Sequence, residues 1–281
     1  MRLFALVALV MVAFAANSVL NRIGVALQGM DPMGFATVRT GAGAAMLWGL
    51  VMARQRSRPA IFSARRMAGA AALGVYMIGF SWAYITLDAG LGALILFGVL
   101  QVVVFGWAVF AGETIAILRW IGTALAVAGL AALFWPGGAT PVPFNGAMSM
   151  TAAGAAWAIY TLLGRSETDP LGATASNFLL CVPLVAAAMI WVGIGPMPVA
   201  GVIAAVIAGS VTSGLGYALW YLALPSLPAT TAGIAQLSVP VIAVTAGGVF
   251  LAEPLTLKLL VAGGLVLGGI AISLAARRKV S

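Results

Sequence analysis

The chain has no histidine, a single cysteine (Cys181), and charge on only 7% of its 281 residues. Without histidine and with one thiol there is no ligand set for a structural zinc site and no possible intrachain disulfide. The shortage of charge excludes more. A soluble domain carries roughly 25% charged residues because its surface faces water. Six acidic and fourteen basic side chains cannot coat a protein of 28.5 kDa. What is abundant is apolar: 63% of residues, with a mean hydropathy of +1.13. Glycine is also in excess, at 35 residues, where average usage of about 7% gives about 20. Glycine in apolar segments serves close helix packing in lipid, which supplies no hydrophobic drive between helices. The composition is that of an all-α integral membrane protein whose first partner is the lipid bilayer.

A net charge of +8 and a pI near 10.6 would suggest nucleic acid in a soluble protein. Here the basic residues are scattered among apolar spans without interleaved aromatics, so they read as topology signals and no nucleic-acid partner is expected. Arg2 and the apolar run ending near Ala13-Phe14-Ala15 have some features of a cleaved signal. The run continues through Leu27 and a matching segment recurs later, so a first transmembrane helix is the better reading.

A bilayer core of about 30 Å needs about 20 helical residues. Cutting at charges, prolines and glycine clusters gives ten spans, near 3–27, 31–53, 66–87, 90–110, 116–135, 144–164, 170–193, 199–223, 229–250 and 256–276. The connections are too short for a soluble domain. Arg2, Arg54, Arg56, Arg58, Arg65, Arg66, Arg119, Arg165, Arg277, Arg278 and Lys279 then fall on one side, eleven of the fourteen basic residues. That bias places both termini in the cytoplasm, and the expected location is a bacterial inner (plasma) membrane, crossed several times.

The chain also repeats itself. Asp31-Pro32-Met33-Gly34 recurs as Asp169-Pro170-Leu171-Gly172, and Arg22 before the first copy corresponds to Arg165 before the second. Glu113, Gly122 and Gly129 match Glu253, Ala262 and Gly269 at an offset of 140. The copies are 1–137 and 138–281, together one membrane domain. Five spans is an odd number, so the copies must lie upside down relative to each other. Two inverted five-helix repeats are the geometry of alternating access around a midplane site.

With the repeat in hand, the chain resembles the drug/metabolite transporter superfamily, specifically the ten-helix carriers built from two EamA-type repeats. Phe14-Ala15-Ala16-Asn17 is similar to the first-helix Trp-Gly-x-Asn segment of that family, with Phe in place of Trp. Asp31-Pro32 leading to Arg39 resembles its second-helix opening. Gly112-Glu113-Thr114 and Ala252-Glu253-Pro254-Leu255-Thr256 resemble its Gly-Glu-x-x-Thr turn, although the first copy lacks the spaced Thr. Ala155-Ala156-Trp157-Ala158-Ile159-Tyr160 matches the Trp-Ala-x-Tyr of its sixth helix. The resemblance implies a fold in which helices one to four and six to nine surround a cavity, with the fifth and tenth peripheral. It implies a small-molecule cargo, with export of amino-acid-like metabolites the leading expectation and efflux of drug-like amphiphiles the alternative. No cofactor is expected.

Candidate lining residues are the polar and aromatic side chains in mid-span: Asn17, Arg39, Tyr76, Trp82, Phe97, Gln101, Trp157, Tyr160, Tyr217, Trp220 and Gln236. An unpaired amide in hydrocarbon costs several kcal/mol, so Asn17, Gln101 and Gln236 must face a cavity or a partner helix. Arg39 either meets a substrate carboxylate or ties the first two helices together through Asn17, Asn21 or helix-end carbonyls, and the structural role is favoured. One arginine is thin provision for a phosphate dianion. Pro183 and Pro240 interrupt the seventh and ninth helices and are candidate hinges. Gly264 and Gly268 form a Gly-x-x-x-Gly pair for packing or dimerisation, which leaves monomer and homodimer both open.

All six acidic residues fall at predicted helix ends. Asp31 and Asp169 read as N-caps before proline, while Glu113 and Glu253 read as openers of the fifth and tenth helices. Membrane proton relays use buried Asp, Glu or His, so a facilitator or exchanger is expected rather than a carboxylate-driven proton antiporter. Serine proteolysis in its usual form wants histidine, and aspartyl proteolysis wants two buried aspartates, so no enzyme is expected. A channel would show charged rings or a carbonyl filter, and none stands out; a channel or a non-transporting membrane protein is the competing class.

Overall fold

The computed structural model describes residues 2–54, 59, 61–135, 142–165, 167–227 and 229–275. The basic side chains of Arg56, Arg58, Arg277, Arg278 and Lys279 lie outside the described residues. Among the described residues there are helices and no strands. They are α1 (Arg2–Arg22), α2 (Pro32–Ala53), α3 (Ala64–Ala83), α4 (Ala89–Phe110), α5 (Ile117–Phe134), α6 (Phe144–Gly164), α7 (Pro170–Val192), α8 (Val199–Ile207), α9 (Gly216–Ala223), α10 (Ala229–Gln236), α11 (Ser238–Leu251) and α12 (Leu257–Ala275). A π-helical turn, Ile23–Leu27, extends α1, and a π-helical stretch, Ala208–Leu215, joins α8 to α9 in one rod.

A helix lies on each of the ten segments marked in the sequence, and eight of these runs are long and apolar enough to cross a bilayer. The other two are α3, which opens with Arg65 and Arg66, and α6, rich in Gly, Ala, Ser and Thr. They pack along each other. Glycine brings them close, since a Cβ on Gly79 would sit 2.7 Å from the Ser149 carbonyl. Helices that face neighbours rather than lipid need less apolar surface. Elsewhere the outside of the bundle carries large exposed apolar groups such as Phe110 and Trp191, which suits hydrocarbon and not water.

Helix starts follow the sequence. Asp31 accepts a hydrogen bond from the Gly34 N–H at 2.7 Å and Asp169 accepts one from Gly172 at 3.2 Å, each with proline at the first helical position. Glycine at φ +67°, Gly29, turns the chain between the π end of α1 and α2.

α2 packs against α7, α8 and the π stretch; α3 packs against α6 and α7; α4 packs against α6 and α11; α1 packs against α9, α11 and the π stretch. α5 and α12 lie chiefly on each other, with lesser contact to α4 and α10. Gly122 meets the Gly269 carbonyl, and a Cβ on Gly129 would sit 2.8 Å from the Ala262 carbonyl. Advancing seven residues along α5 thus retreats seven along α12, so the pair is antiparallel. The Gly264/Gly268 pair is not what this contact uses: nothing lies within 4 Å of where their Cβ atoms would be. They face away from the bundle, so close packing within the chain falls to Gly122, Gly129 and Gly269.

The two hinge candidates differ. Pro183 sits inside an unbroken α7. Near Pro240 the helix breaks at Leu237, because Pro240 has no N–H for the Gln236 carbonyl and its ring crowds that group. The Ser238 hydroxyl takes up the slack, donating to the Ala235 carbonyl at 2.7 Å.

Candidate functional site

Trp157, two-thirds along α6, lies at the centre of the bundle. Tyr160 shares its helix face by the i, i+3 rule and stacks on it at 5.3 Å and 18°. Tyr217 of α9 stacks on it at 5.7 Å and 25°, and Tyr76 of α3 approaches at 4.8 Å. Phe14 of α1 closes the group, 5.5 Å from Tyr217 and 6.3 Å from Trp220. Along α3, Tyr76 touches Phe80 at 5.2 Å and Phe80 touches Tyr84 at 4.9 Å, an i, i+4 row on one face.

Beside this cluster sits Arg39, fully buried on α2. Its Nη2 donates to the Tyr76 hydroxyl at 3.1 Å, and Nε and Nη2 both reach Ser213 Oγ at 3.4 Å. Its guanidinium carbon lies 4.9 Å from the Phe80 ring centre and 5.4 Å from that of Tyr76. The π stretch brings Ser213 here. It runs close against α2, with Gly209 on the Arg39 carbonyl, where no side chain would fit. Ser213 in turn donates to Asn17 Oδ1 at 3.2 Å, and Thr212 donates to the same oxygen at 2.7 Å. Arg39 therefore reaches Asn17 through Ser213 and ties α2 to α3 and the π stretch. Burying a cation costs several kcal/mol even after relaxation. Bonds from a charged donor return about 1.5–3 kcal/mol each when well formed, and cation–π contacts about 0.5–2 each. These partners roughly offset the burial, except at Nη1, which has no acceptor.

On one side of the cluster a cleft opens between α3, α6 and α7, lined by Arg65, Arg66, Tyr160, Thr174, Asn177 and Tyr221 among others. Its enclosed room is about 30 Å³, enough for one or two waters, so the cluster is closely packed in this conformation. Tyr160 donates to Thr174 at 3.4 Å, and Thr174 and Tyr221 share a bond of 2.9 Å. At the mouth, Glu167 pairs with Arg66 at 2.8 Å and with Arg65 at 3.7 Å.

The opposite end is held by another ionic group. Arg22 at the end of α1 donates to the carbonyls of Tyr84 and Ile85 at 3.2 Å, and pairs with Asp88 at 3.4 Å and Glu253 at 3.6 Å. The Glu253 carboxylate accepts the Ala89 N–H at 2.9 Å. Glu253 thus serves the start of α4 rather than that of its own following helix, which begins only at Leu257. Burial raises its carboxyl pKa above the ordinary value; Asp88 adds to that, while the Ala89 bond and Arg22 oppose it.

Of the lining candidates, the structure brings Asn17, Arg39, Tyr76, Trp157, Tyr160 and Tyr217 together, with Trp220 at the edge. Phe97 is half-buried on α4, packed against core residues on two sides. Trp82 is 40% exposed on the outside of α3. Gln101 bonds Ser273 of α12 at 2.9 Å, a partner-helix contact outside the cluster. Gln236 ends α10 at the break before Pro240. The sequence reading missed Ser213, Thr212 and Phe80. The only signal for the first two is a pair of hydroxyls in the glycine-rich Ala208–Leu215 segment.

Residues 144–275 match the model of the EamA-like transporter family. An uncharacterized protein of Pseudomonas aeruginosa is 43% identical over 98% of this chain and 96% of its own length. An uncharacterized transporter of Archaeoglobus fulgidus is 31% identical over 59% of this chain and 60% of its own. A solved crystal structure superposes with a TM-score of 0.68 at 20% identity, covering 99% of this chain and 98% of that one, which speaks to the fold. The second half of the chain, residues 144–275, carries an EamA-like transporter domain, and the chain is a multi-pass membrane transporter rather than an enzyme.

Proposed function

We propose that the protein is a ten-span secondary carrier, made of two inverted five-helix repeats, that exports a small amino-acid-like metabolite by alternating access around the Trp157 cluster. In this reading both termini are cytoplasmic in a bacterial inner membrane, and the carrier works as a facilitator or exchanger, as a monomer or homodimer. One observation carries it: the main helix packings of one half have counterparts when its members are exchanged for those of the other. α3 on α6 becomes the α8–α9 rod on α1, α4 on α6 becomes α11 on α1, and α5 on α12 becomes itself. The close approaches obey the same exchange. With Gly122 equivalent to Ala262 and Gly129 to Gly269, the Gly122–Gly269 contact maps onto the Gly129–Ala262 contact.

The aromatic cluster fits that symmetry. Phe14 and Trp157 lie 143 positions apart, as do Arg22 and Arg165, while Tyr76 and Tyr217 lie 141 apart. Phe14 on Tyr217 is then the counterpart of Trp157 on Tyr76. A site on the exchange axis between two halves is reachable from either face in turn. The Glu167–Arg65–Arg66 group beside the narrow cleft and the Arg22–Asp88–Glu253 group at the other end support a conformation closed at both ends, with ionic contacts as the gate material. The aromatic surface also gives drug-like amphiphiles a claim as cargo.

Counterflow in proteoliposomes tests the reading. Vesicles preloaded with an amino-acid mixture should take up labelled amino acid faster than empty ones, without an imposed pH gradient. Flux with no acceleration by internal solute would indicate a channel. Strict dependence on a pH gradient would contradict the facilitator mechanism.

A further inference from the structure

Arg39 is the single buried charged side chain among the described residues, and the protein supplies no anion for it. The chain has six acidic side chains, all described and all engaged elsewhere. Asp31 and Asp169 cap α2 and α7. Asp88 and Glu253 face Arg22, Glu113 faces Arg119, and Glu167 holds Arg65 and Arg66. What Arg39 touches is neutral: the Tyr76 hydroxyl, Ser213 Oγ, and the faces of Tyr76 and Phe80. Its bonds of 3.1–3.4 Å are longer than the roughly 2.7–2.9 Å of charge-assisted pairs with a carboxylate. One guanidinium nitrogen, Nη1, is buried with no partner at all.

We propose that the transported solute bears a carboxylate and that Arg39 receives it through Nη1. The inference rests on the carrier reading above, because the guanidinium becomes reachable only when the aromatic cluster parts. Tyr76 is the link: its hydroxyl binds Arg39 while its ring lies 4.8 Å from Trp157. A solute with its apolar part against Trp157 and Tyr217 therefore has its charged end directed to Arg39 once Tyr76 swings aside. Ser213 is already committed as a donor to Asn17, so its lone pairs face the guanidinium and hold the free edge in place. A single arginine edge matches a monoanion. A phosphate dianion calls for several cations, and the cations at the two ends of the path, Arg22 and Arg66, are each paired with acidic residues. The class is thus a small monocarboxylate or amino acid with an apolar or aromatic body.

The test uses purified full-length protein in detergent and three isosteric pairs as probes: acetate and acetamide, isobutyrate and isobutyramide, benzoate and benzamide. Thermal midpoint is followed against probe concentration. At least one acid should stabilise saturably, at a concentration tenfold or more below that of its amide. Arg39→Gln should erase that preference, and Arg39→Lys, which keeps the charge, should retain a weakened one. Equal responses to acid and amide, no acid response across the panel, or a preference surviving in Arg39→Gln would each overturn the proposal. The comparison on the unmodified protein stands even if Arg39→Gln fails to fold. Counterflow of a solute lacking a carboxylate, with a silent panel, would remove this inference and leave the carrier reading. Carboxylate binding through Arg39 without exchange of any solute would leave the Arg39 carboxylate site and overturn the carrier reading, and with it the claim that the bound acid is transported.

Discussion

Trp157 touches three tyrosines from three helices, and at the scale of single residues it is the one whose loss separates a transport role from a packing role. It is only half-buried, so truncation to alanine should cost no more than about 3 kcal/mol, the low end for buried Trp→Ala changes. If its indole is part of the solute's surface, Trp157→Ala lowers exchange in the counterflow assay at least tenfold while the thermal midpoint drops by a few degrees. Parallel losses of yield and exchange would return Trp157 to the core. Trp157, Tyr160, Tyr217, Asn17 and Arg39 were legible in the sequence because polar and large aromatic groups in mid-span need a reason to be there. Trp82 and Gln236 satisfied the same criterion and lie elsewhere. In lipid both faces of a helix are apolar, so periodicity does not say which face turns inward. Ser213 and Phe80 could not be singled out, since one serine or phenylalanine among 63% apolar residues carries no mark.

At the scale of elements, caps and breaks were the readable part. Aspartate before proline set the starts of α2 and α7, and Pro240 marked a real interruption, although the break falls three residues earlier at Leu237. The π winding of Ala208–Leu215 was not readable, because it depends on the fit of that stretch against α2. Nor did the glycine motif name the glycines of the contact within the chain. The antiparallel α5–α12 contact puts backbone against backbone at Gly122 and Gly269, while Gly264 faces open space. A side chain at Gly122 would collide with backbone, which cannot rotate away, and such overpacking costs typically about 1–3 kcal/mol. Gly122→Leu should therefore lower the thermal midpoint in detergent by several degrees, and Gly264→Leu should leave it within about a degree. Equal effects at the two positions would mean that the α5–α12 contact is not as described.

For the whole molecule, the account turns on two halves of one chain lying in opposite senses across the bilayer. The proposed duplication rests on Asp31–Gly34 and Asp169–Gly172, on Arg22 and Arg165, and on the paired glutamate turns. How the halves meet could not be read from the sequence, since it rests on which glycines touch and on Ser213 crossing to Asn17. The turns carrying Glu113 and Glu253 are equivalent in the repeat and should emerge on opposite faces. Cys181 is the only thiol and is buried, so a Cys181→Ala background leaves a clean surface. Thr114→Cys and Leu255→Cys, introduced singly at exposed turn positions, can then be probed with a membrane-impermeant maleimide on intact cells. The Leu255→Cys protein should label from outside, and the Thr114→Cys protein only after the membrane is permeabilised. Labelling of both from the same side would contradict the inverted arrangement and, with it, alternating access.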